Sequence, residues 1–284
     1  MGRVVLLEDR VRNFFGGKKP QFLSLPLSSE TLEISSNLVE ITPNAVKLKQ
    51  LTRTNQRLVV LITGLSGAGK DAISNSLAET GLFELVINST SRREIRAGET
   101  KHFPYRRFKD KKFKKMIKRG QLLEWVKYSG RFYGSSLEAV NEVLAKGKIP
   151  VLRIDPKGTR NVLKMWEKDP RVKGFNFVSL FALPENWQAL IQRLNSRDLL
   201  SQPKDKRYEA KLRIKRRIEQ NKIDLCYLTE AHYLLVNQTG KLQEVVDQVV
   251  KLLEAKQREL EIVKLVRILK ALEKKVTSED CQSL

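Results

Sequence analysis

The chain has 284 residues, 41% of them hydrophobic, which is enough for one large or two small globular domains and excludes a chain that is disordered throughout. No run of about 18 uncharged apolar residues occurs, which argues against a membrane span, and residues 1–12 lack the apolar stretch of a signal peptide. Lysine and arginine outnumber aspartate and glutamate by 54 to 32, and the formal net charge of +22 attracts polyanions, although a general basic bias of a solvated surface explains it equally well.

The first segment, residues 1–56, is broken by Gly16, Gly17 and three prolines. The stretch from Thr31 to Ile41 either forms a small sheet or packs on the main body, and no function follows from it. We expect an N-terminal extension over residues 1–56, one main domain over 57–255 and a C-terminal helical extension over 256–284.

From Arg57 onward the pattern is an alternation of strands and helices. Leu58 to Thr63 is a continuous β-branched and apolar run, typical of a strand that is buried on both faces of a parallel sheet. A glycine-rich turn and an amphipathic helix that ends at Gly81 follow it. Further buried strands are predicted at Leu85–Asn88, Pro150–Ile154, Phe175–Leu183 and Tyr233–Val236. This alternation predicts an α/β fold with a parallel core sheet.

Short polar and aromatic pieces interrupt the alternation between about residues 89 and 140, which predicts an inserted subdomain there. From Lys241 a long helix is predicted to about Val276, and its apolar stripe loses phase near Lys256. The second half of this helix packs on the N-terminal segment, on a partner or on a second copy, and the sequence leaves these alternatives and the oligomeric state open.

The motif G-x-x-x-x-G-K occupies Gly64 to Lys70, between the buried strand and its helix, which is the context that this phosphate-binding motif requires. Its glycines let successive N–H groups point inward, and the helix N-terminus adds to this anion site. Lys70 adds a charge at the transferred phosphoryl group. We predict that the loop binds ATP phosphates through Gly64, Leu65, Ser66, Gly67, Ala68, Gly69, Lys70 and Asp71.

Several motifs after this loop resemble those of the guanylate kinase family in order and spacing. Ser89 to Glu99 resembles the family segment S-x-T-x-R-x-P-R-x-G-E, with Ile95 in place of the proline. Further matches are Tyr105, Glu124, Trp125, Tyr133, Gly134, Ser135, Asp155 and Gly158. The resemblance covers about Leu58 to Leu253 and implies a P-loop three-layer α/β/α fold with a GMP-binding subdomain at about 89–140 and a helical lid at about 195–217.

The resemblance also implies a reaction, the transfer of a phosphoryl group from ATP to GMP with Mg²⁺. It assigns GMP binding to Ser89, Arg93, Arg96, Glu99, Tyr105, Glu124, Tyr133, Ser135 and Asp155. It assigns catalysis to Lys70 together with the lid residues Arg197 and Arg217, whose charge opposes the charge that builds on the transferred phosphoryl group. Asn237 resembles the family's contact with the donor base, and His232 is interpreted as a structural or surface residue.

The chemistry of the acceptor residues fits this assignment. Guanine presents adjacent N1–H and N2–H donors that one carboxylate, Glu124, accepts together, whereas adenine presents no such pair. Arg93 and Arg96 are three residues apart and can contact one phosphate. The competing interpretations are a surface position for Glu124 and a solvated basic loop for the two arginines.

Two positions depart from the family pattern near the expected metal. Asp71 stands where a serine or threonine normally binds Mg²⁺, and Arg153 stands where the family has an acidic residue. Asp71 is the candidate metal ligand, and we hypothesise that Asp71 and Arg153 form an ion pair beside the phosphates. Together with Ile95, these changes favour an alternative function, a nucleotide- or phospho-ligand-binding module with little turnover.

Other partners and the compartment follow only from general features. RNA is a third candidate, through the basic segment Lys109 to Arg119, but Phe113, Met116 and Ile117 there predict a buried face with solvated lysines, so RNA is not favoured. The two cysteines, Cys226 and Cys281, show no metal-binding spacing, and we expect a reducing compartment such as the cytoplasm and no membrane association.

Overall fold

The computed structural model describes residues 57–91, 105–128, 130–200 and 203–256, together with the backbone of two short strands at 34–35 and 38–40. The other residues of 1–56 and all residues after 256, including Cys281 and the second half of the long helix predicted from Lys241, lie outside the described residues. No helix within the described ranges combines the length and the apolarity that crossing a bilayer requires.

Eleven strands and seven α-helices are defined in this part of the chain. The strands are β1 (Ile34–Ser35), β2 (Leu38–Glu40), β3 (Arg57–Gly64), β4 (Phe83–Leu85), β5 (Asn88–Ser91), β6 (Tyr105–Phe108), β7 (Leu122–Tyr128), β8 (Arg131–Ser136), β9 (Ile149–Arg153), β10 (Phe175–Pro184) and β11 (Tyr233–Asn237). The helices are α1 (Lys70–Glu79), α2 (Asp110–Lys118), α3 (Leu137–Ala145), α4 (Pro156–Lys168), α5 (Trp187–Asn195), α6 (Arg207–Asp224) and α7 (242–256).

The central sheet has seven strands in the order β1-β2-β11-β10-β3-β9-β4. From β11 to β4 every neighbouring pair is parallel, and the β1–β2 pair adds antiparallel to β11. The parallel core sheet that the alternation predicted is therefore confirmed, and β1 and β2 show that the stretch around Thr31 to Ile41 extends this sheet.

Helices cover both faces of the sheet because successive residues of β3 point to opposite sides. Leu58, Val60 and Ile62 face one apolar cluster, which α1, α5 and α7 complete. Val59 and Leu61 face a second cluster, which α3 and α4 complete. All five side chains are buried, so the strand is apolar without alternation and the three-layer α/β/α architecture is confirmed.

A smaller four-stranded sheet, β6-β5-β8-β7, forms the inserted subdomain. Helix α2 packs on it through Phe113, which is fully buried and stacks on Phe132 with ring centroids 5.4 Å apart. The lysines of α2 at positions 111, 112, 114, 115 and 118 are exposed, as the periodicity predicted.

The strand predicted at Leu85–Asn88 is wrong as a single element. β4 ends at Leu85 and pairs with β9 in the central sheet, whereas β5 begins at Asn88 and pairs with β6 and β8 in the small sheet. The apolar run continues through this point because Val86 remains buried while the chain crosses from one sheet to the other. The lid region contains a short π-helical segment at Ser196–Leu200, followed by α6.

Candidate functional site

The phosphate loop connects β3 to α1, and its shape depends on glycine. Gly64 has φ 124°, and a Cβ there would collide with the backbone of Ala182 on β10. Gly69 has φ 85° and lies against the side-chain amide of Asn237. Both φ values lie where side chains are disfavoured, so glycine permits both the turn and the close packing of the neighbouring strands.

The ammonium of Lys70 folds back over this loop. Its Nζ donates hydrogen bonds to the carbonyl oxygens of Gly64 and Leu65, each at 2.8 Å. Desolvation lowers the pKa of Lys70 to about 8, although the neighbouring Asp71 acts in the opposite direction. An anion at the mouth of the loop would stabilise the charged form, so Lys70 favours a phosphate ligand.

A cavity of about 610 Å³ opens beside the loop, within the size range of ligand pockets. Four cationic side chains line it, those of Lys70, Arg153, Arg193 and Arg197. Three carboxylates also line it, those of Asp71, Asp155 and Asp224. Burial raises the pKa of Asp224 above its ordinary value. The donor cavity, as we call it, is therefore suited to a polyanionic ligand.

Helix α6 holds the phosphate loop through Asn221, a residue that the sequence analysis did not single out. The Oδ1 of Asn221 accepts from the backbone N–H of Ser66 at 2.7 Å, and its Nδ2 donates to the carbonyl of Ser66 at 3.0 Å. Arg217, one turn earlier on the same helix, donates to the Ser66 hydroxyl at 3.1 Å. Asn221 is fully buried, so the amide acts as a fixed clamp on the loop.

The lid arginines share one carboxylate, that of Asp198. Arg197 donates to Asp198 from Nε and Nη2 at 3.1 and 3.2 Å, and the Nε of Arg217 lies 3.4 Å from the same side chain. Asp198 reduces the repulsion between two cations near the donor cavity. Both arginines were predicted from the sequence as lid residues, whereas Asp198 was not.

Asn237 supports the loop from behind. Its side-chain Nδ2 donates a hydrogen bond to the carbonyl oxygen of Ala68 at 2.9 Å. Its backbone carbonyl oxygen accepts a hydrogen bond from Nη2 of Arg193. The contact between Asn237 and a donor base stays a prediction. His232 accepts a hydrogen bond from the N–H of Ser179 and lies edge-on to Trp166, so the structural interpretation of His232 is confirmed.

A second cavity of about 310 Å³, the acceptor cavity, lies between the small sheet and the end of β9. Glu124 lines it with a side chain only 7% exposed, so the surface interpretation of this residue is wrong. Burial raises the pKa of Glu124 to about 8, and the nearby negative charge of Asp155 adds to the shift. Tyr105 and Tyr133 also line the cavity, with ring centroids 6.0 Å apart.

A chain of hydrogen-bonding groups connects Glu124 to β9. The hydroxyl of Ser135 lies 2.8 Å from Oε1 of Glu124 and 3.0 Å from Oδ1 of Asn88, and Nδ2 of Asn88 donates to the carbonyl oxygen of Arg153. A hydroxyl donates only one hydrogen bond, so Ser135 donates either to Glu124 or to Asn88 at any one time. The sequence analysis missed Asn88, which lines the acceptor cavity.

Not every predicted acceptor residue is at the cavity. Ser89 is buried, and its hydroxyl has no hydrogen-bond partner within the described ranges. Asp155 accepts from the N–H of Gly158 at the start of α4 and lines both cavities. Arg93, Ile95, Arg96 and Glu99 lie outside the described residues.

The two cavities share a wall made of Tyr105, Arg153, Ile154 and Asp155. In this wall Nη1 of Arg153 lies 2.9 Å from Oδ1 of Asp71, which confirms the predicted ion pair. The described ranges contain no group of three or more His, Cys, Asp or Glu residues that could hold a metal ion. A ligand that spans both cavities would pass Arg153.

Comparisons with known proteins point to one family. The model of the family described as guanylate kinase matches residues 55–256. A guanylate kinase of Prochlorococcus marinus subsp. pastoris is 27% identical over 201 residues, which cover 71% of this chain and 99% of that protein. A guanylate kinase of Thermobifida fusca is 30% identical over 200 residues, covering 70% of this chain and 92% of the relative. The crystal structure of guanylate kinase from Anaplasma phagocytophilum has a similar fold, with a TM-score of 0.51 at 17% identity, covering 72% of this chain and 89% of that chain.

The two hydrogen bonds between Asn221 and the backbone of Ser66 can be tested by mutation. Asn221→Leu removes both hydrogen bonds and leaves two backbone groups of the loop unpaired, so we expect the free energy of unfolding to fall by about 1–3 kcal/mol. Because the loop is then less ordered, ATP should bind about tenfold more weakly, a loss of roughly 1.4 kcal/mol. Urea unfolding and calorimetric titration with ATP measure the two effects.

Lys215→Ala, on the exposed face of the same helix, is the matched control and should change neither quantity. An Asn221→Leu variant that loses stability but binds ATP as tightly as the parent protein would show that the clamp is a packing feature alone.

Proposed function

Since the chain belongs to the guanylate kinase family, we propose that it transfers the terminal phosphoryl group of ATP to GMP and produces ADP and GDP. The observation that carries this proposal is the shared wall between the donor cavity at the phosphate loop and the acceptor cavity at Glu124. Two nucleotides that meet head to head across this wall would bring their terminal phosphates together, and holding two reactants in this way is the main source of rate in phosphoryl transfer.

Guanine selection is assigned to the buried carboxylate of Glu124. In its ionised form it accepts the N1–H and one N2–H of guanine, and these hydrogen bonds offset the cost of a buried charge. Adenine offers an acceptor at N1, so the ionised carboxylate would lose one of these two hydrogen bonds in its complex with adenine. A site built in this way rejects the wrong base by several orders of magnitude, about 10⁴ in favourable cases.

Phosphoryl transfer requires that the two reacting groups are held in position and that cationic side chains offset the negative charge of the phosphates. The oxygen of the acceptor phosphate attacks the terminal phosphorus of ATP, while the bond to the bridging oxygen breaks and its electron pair leaves with ADP. Lys70, Arg197 and Arg217 are proposed to offset the negative charge on the donor side. Tyr105 and Tyr133 contribute hydroxyl donors to the acceptor side, and Arg93 and Arg96 remain the proposed partners of its phosphate.

Magnesium enters this proposal with the donor substrate, as the MgATP complex. The protein offers Asp71 beside the loop, and one of its carboxylate oxygens is held by Arg153, which leaves the other for a cation. Bound Mg²⁺ supplies charge neutralisation at the phosphates. We propose that the reaction takes place in a reducing compartment such as the cytoplasm, since Cys226 is exposed and forms no disulfide within the part of the chain that the structure describes.

A second candidate function is nucleotide binding with little turnover. The Asp71–Arg153 ion pair favours it, because a guanidinium occupies the region where the family places an acidic residue. The same assay separates the two candidates.

The test is the release of ADP from MgATP in the presence of GMP, AMP, CMP or UMP, with the full chain as enzyme. We expect GMP to support the reaction with a kcat/KM at least about 100-fold above that for AMP. Glu124→Gln should lower this ratio about 100-fold or more, because a side-chain amide donates to N1 and accepts from N6 of adenine but opposes one of the guanine donors.

ADP release that does not depend on the monophosphate, or an unchanged GMP to AMP ratio in Glu124→Gln, would contradict the proposed function. Tight GMP binding without ADP release would support the second candidate. Thermal unfolding of the variant provides the control for folding, since glutamine has nearly the same volume as glutamate.

The pKa of Glu124 generates a further prediction. In the free protein this pKa is raised to about 8, so the carboxyl is mostly neutral below that pH and must lose its proton before guanine binds. The affinity for guanosine should therefore rise by about tenfold per pH unit as the pH increases towards 8 and level off above it. Calorimetry with guanosine measures this without the second phosphate proton of GMP, which titrates near pH 6.

Glu124→Gln is the matched control and should bind guanosine weakly with no dependence on pH over this interval. An affinity of the parent protein that is flat across the interval would show that Glu124 is already ionised in the free protein or does not contact the base.

A further inference from the structure

Arg153 has a backbone position that is fixed from two sides. It is the last residue of β9, and its Cα is in register with Ile62 of β3, two residues before Gly64. Its carbonyl oxygen accepts a hydrogen bond from Nδ2 of Asn88 at 3.0 Å. The side chain therefore starts from a rigid point between the phosphate loop and the acceptor cavity.

Within the described ranges one atom holds the guanidinium of Arg153. Nη1 donates to Oδ1 of Asp71 at 2.9 Å, and the described ranges provide no other hydrogen bond to this group. Arginine has five N–H donors in a planar fork, so donors on Nε and Nη2 remain for a ligand. Because the side chain lines both cavities, these donors lie at the wall where the two ligands would meet.

Stability does not account for this ion pair. Asp71 is 79% exposed and Arg153 is 21% exposed, and ion pairs with an exposed partner contribute only about 0–1 kcal/mol. An exposed carboxylate on the first turn of α1 nevertheless sets the direction of a guanidinium that is mostly shielded from solvent. The arrangement orients a cation towards the cleft.

We propose that Arg153 is a further catalytic residue, which contacts the acceptor phosphate and the phosphoryl group in transfer, and that Asp71 is the positioning residue that orients it. This inference rests on the proposed function. As the acceptor oxygen bonds to the terminal phosphorus and the electron pair of the broken bond leaves with ADP, negative charge spreads over the oxygens between the two nucleotides. A fixed guanidinium there stabilises that charge without a proton transfer.

The experiment compares Arg153→Met, Arg153→Lys and Asp71→Asn with the parent protein in the MgATP and GMP assay, and by calorimetry with GMP and guanosine. Arg153→Met should lower kcat by about 100-fold to 1,000-fold, the range for the loss of one group that stabilises transition-state charge. GMP should bind it about tenfold more weakly, while guanosine should bind unchanged, because only GMP carries a phosphate.

Arg153→Lys keeps the charge without the fork and should recover part of kcat. Asp71→Asn should lower kcat about tenfold with little change in the KM for GMP. In the Arg153→Met background the same change should have a smaller effect than in the parent protein, because the positioning role of Asp71 is already lost there. The matched control is Arg171→Met, which removes an arginine paired with Asp169 outside both cavities and should change none of these quantities.

A kcat of Arg153→Met within about threefold of the parent, or an equal loss of GMP and guanosine affinity, overturns the proposal, because the second result describes a structural role. If the parent protein forms no GDP, the proposed function fails, and the comparison of GMP with guanosine still decides whether Arg153 contacts a phosphate. Thermal unfolding of each variant confirms that it is folded.

Discussion

The parallel pairing of β3 with β9 and β10 is the constraint on which the site depends. Gly64 is in register with Ala182, and Ile62 is in register with Arg153, so the carboxyl ends of three strands meet at one edge of the sheet. The phosphate loop leaves β3 at this edge, and Asp155 follows β9 there. A shift of β9 by one residue would turn Arg153 to the other face of the sheet and separate the two cavities.

The site also contains charged groups that burial disfavours. Burial raises the pKa of Glu124 to about 8 and desolvation lowers that of Lys70 to about 8, so each group is less charged in the free protein than in water. The ligands proposed here supply the missing partners, namely guanine N–H donors for Glu124 and phosphate oxygens for Lys70. Charging these groups lowers the net binding energy, so the new hydrogen bonds and ion pairs to the ligand must exceed that cost.

Much of this architecture could be predicted from the sequence because the signals are local. The apolar run of β3, the glycine spacing after it and the motif around Glu124 each occupy a few consecutive residues. Asn221 could not be predicted in this way, since it contacts Ser66 across 155 positions and resembles any polar residue of an exposed helix.

Asn88 could not be predicted for another reason. The apolar run before it is continuous, so the sequence gives no sign that the chain crosses from β4 to β5. The ion pair of Asp71 and Arg153, which are 82 positions apart, was predicted only because both residues depart from the family pattern together.

Two nucleotides are proposed to occupy one continuous cleft and to meet at Arg153. A calorimetric titration with an adenosine and a guanosine joined through five phosphates, compared with ATP and GMP alone, is the test of this arrangement. We expect one molecule of the joined compound per chain, an affinity above that of either nucleotide, and competition with both ATP and GMP. Binding of two molecules per chain, or competition with ATP but not with GMP, would contradict the shared cleft.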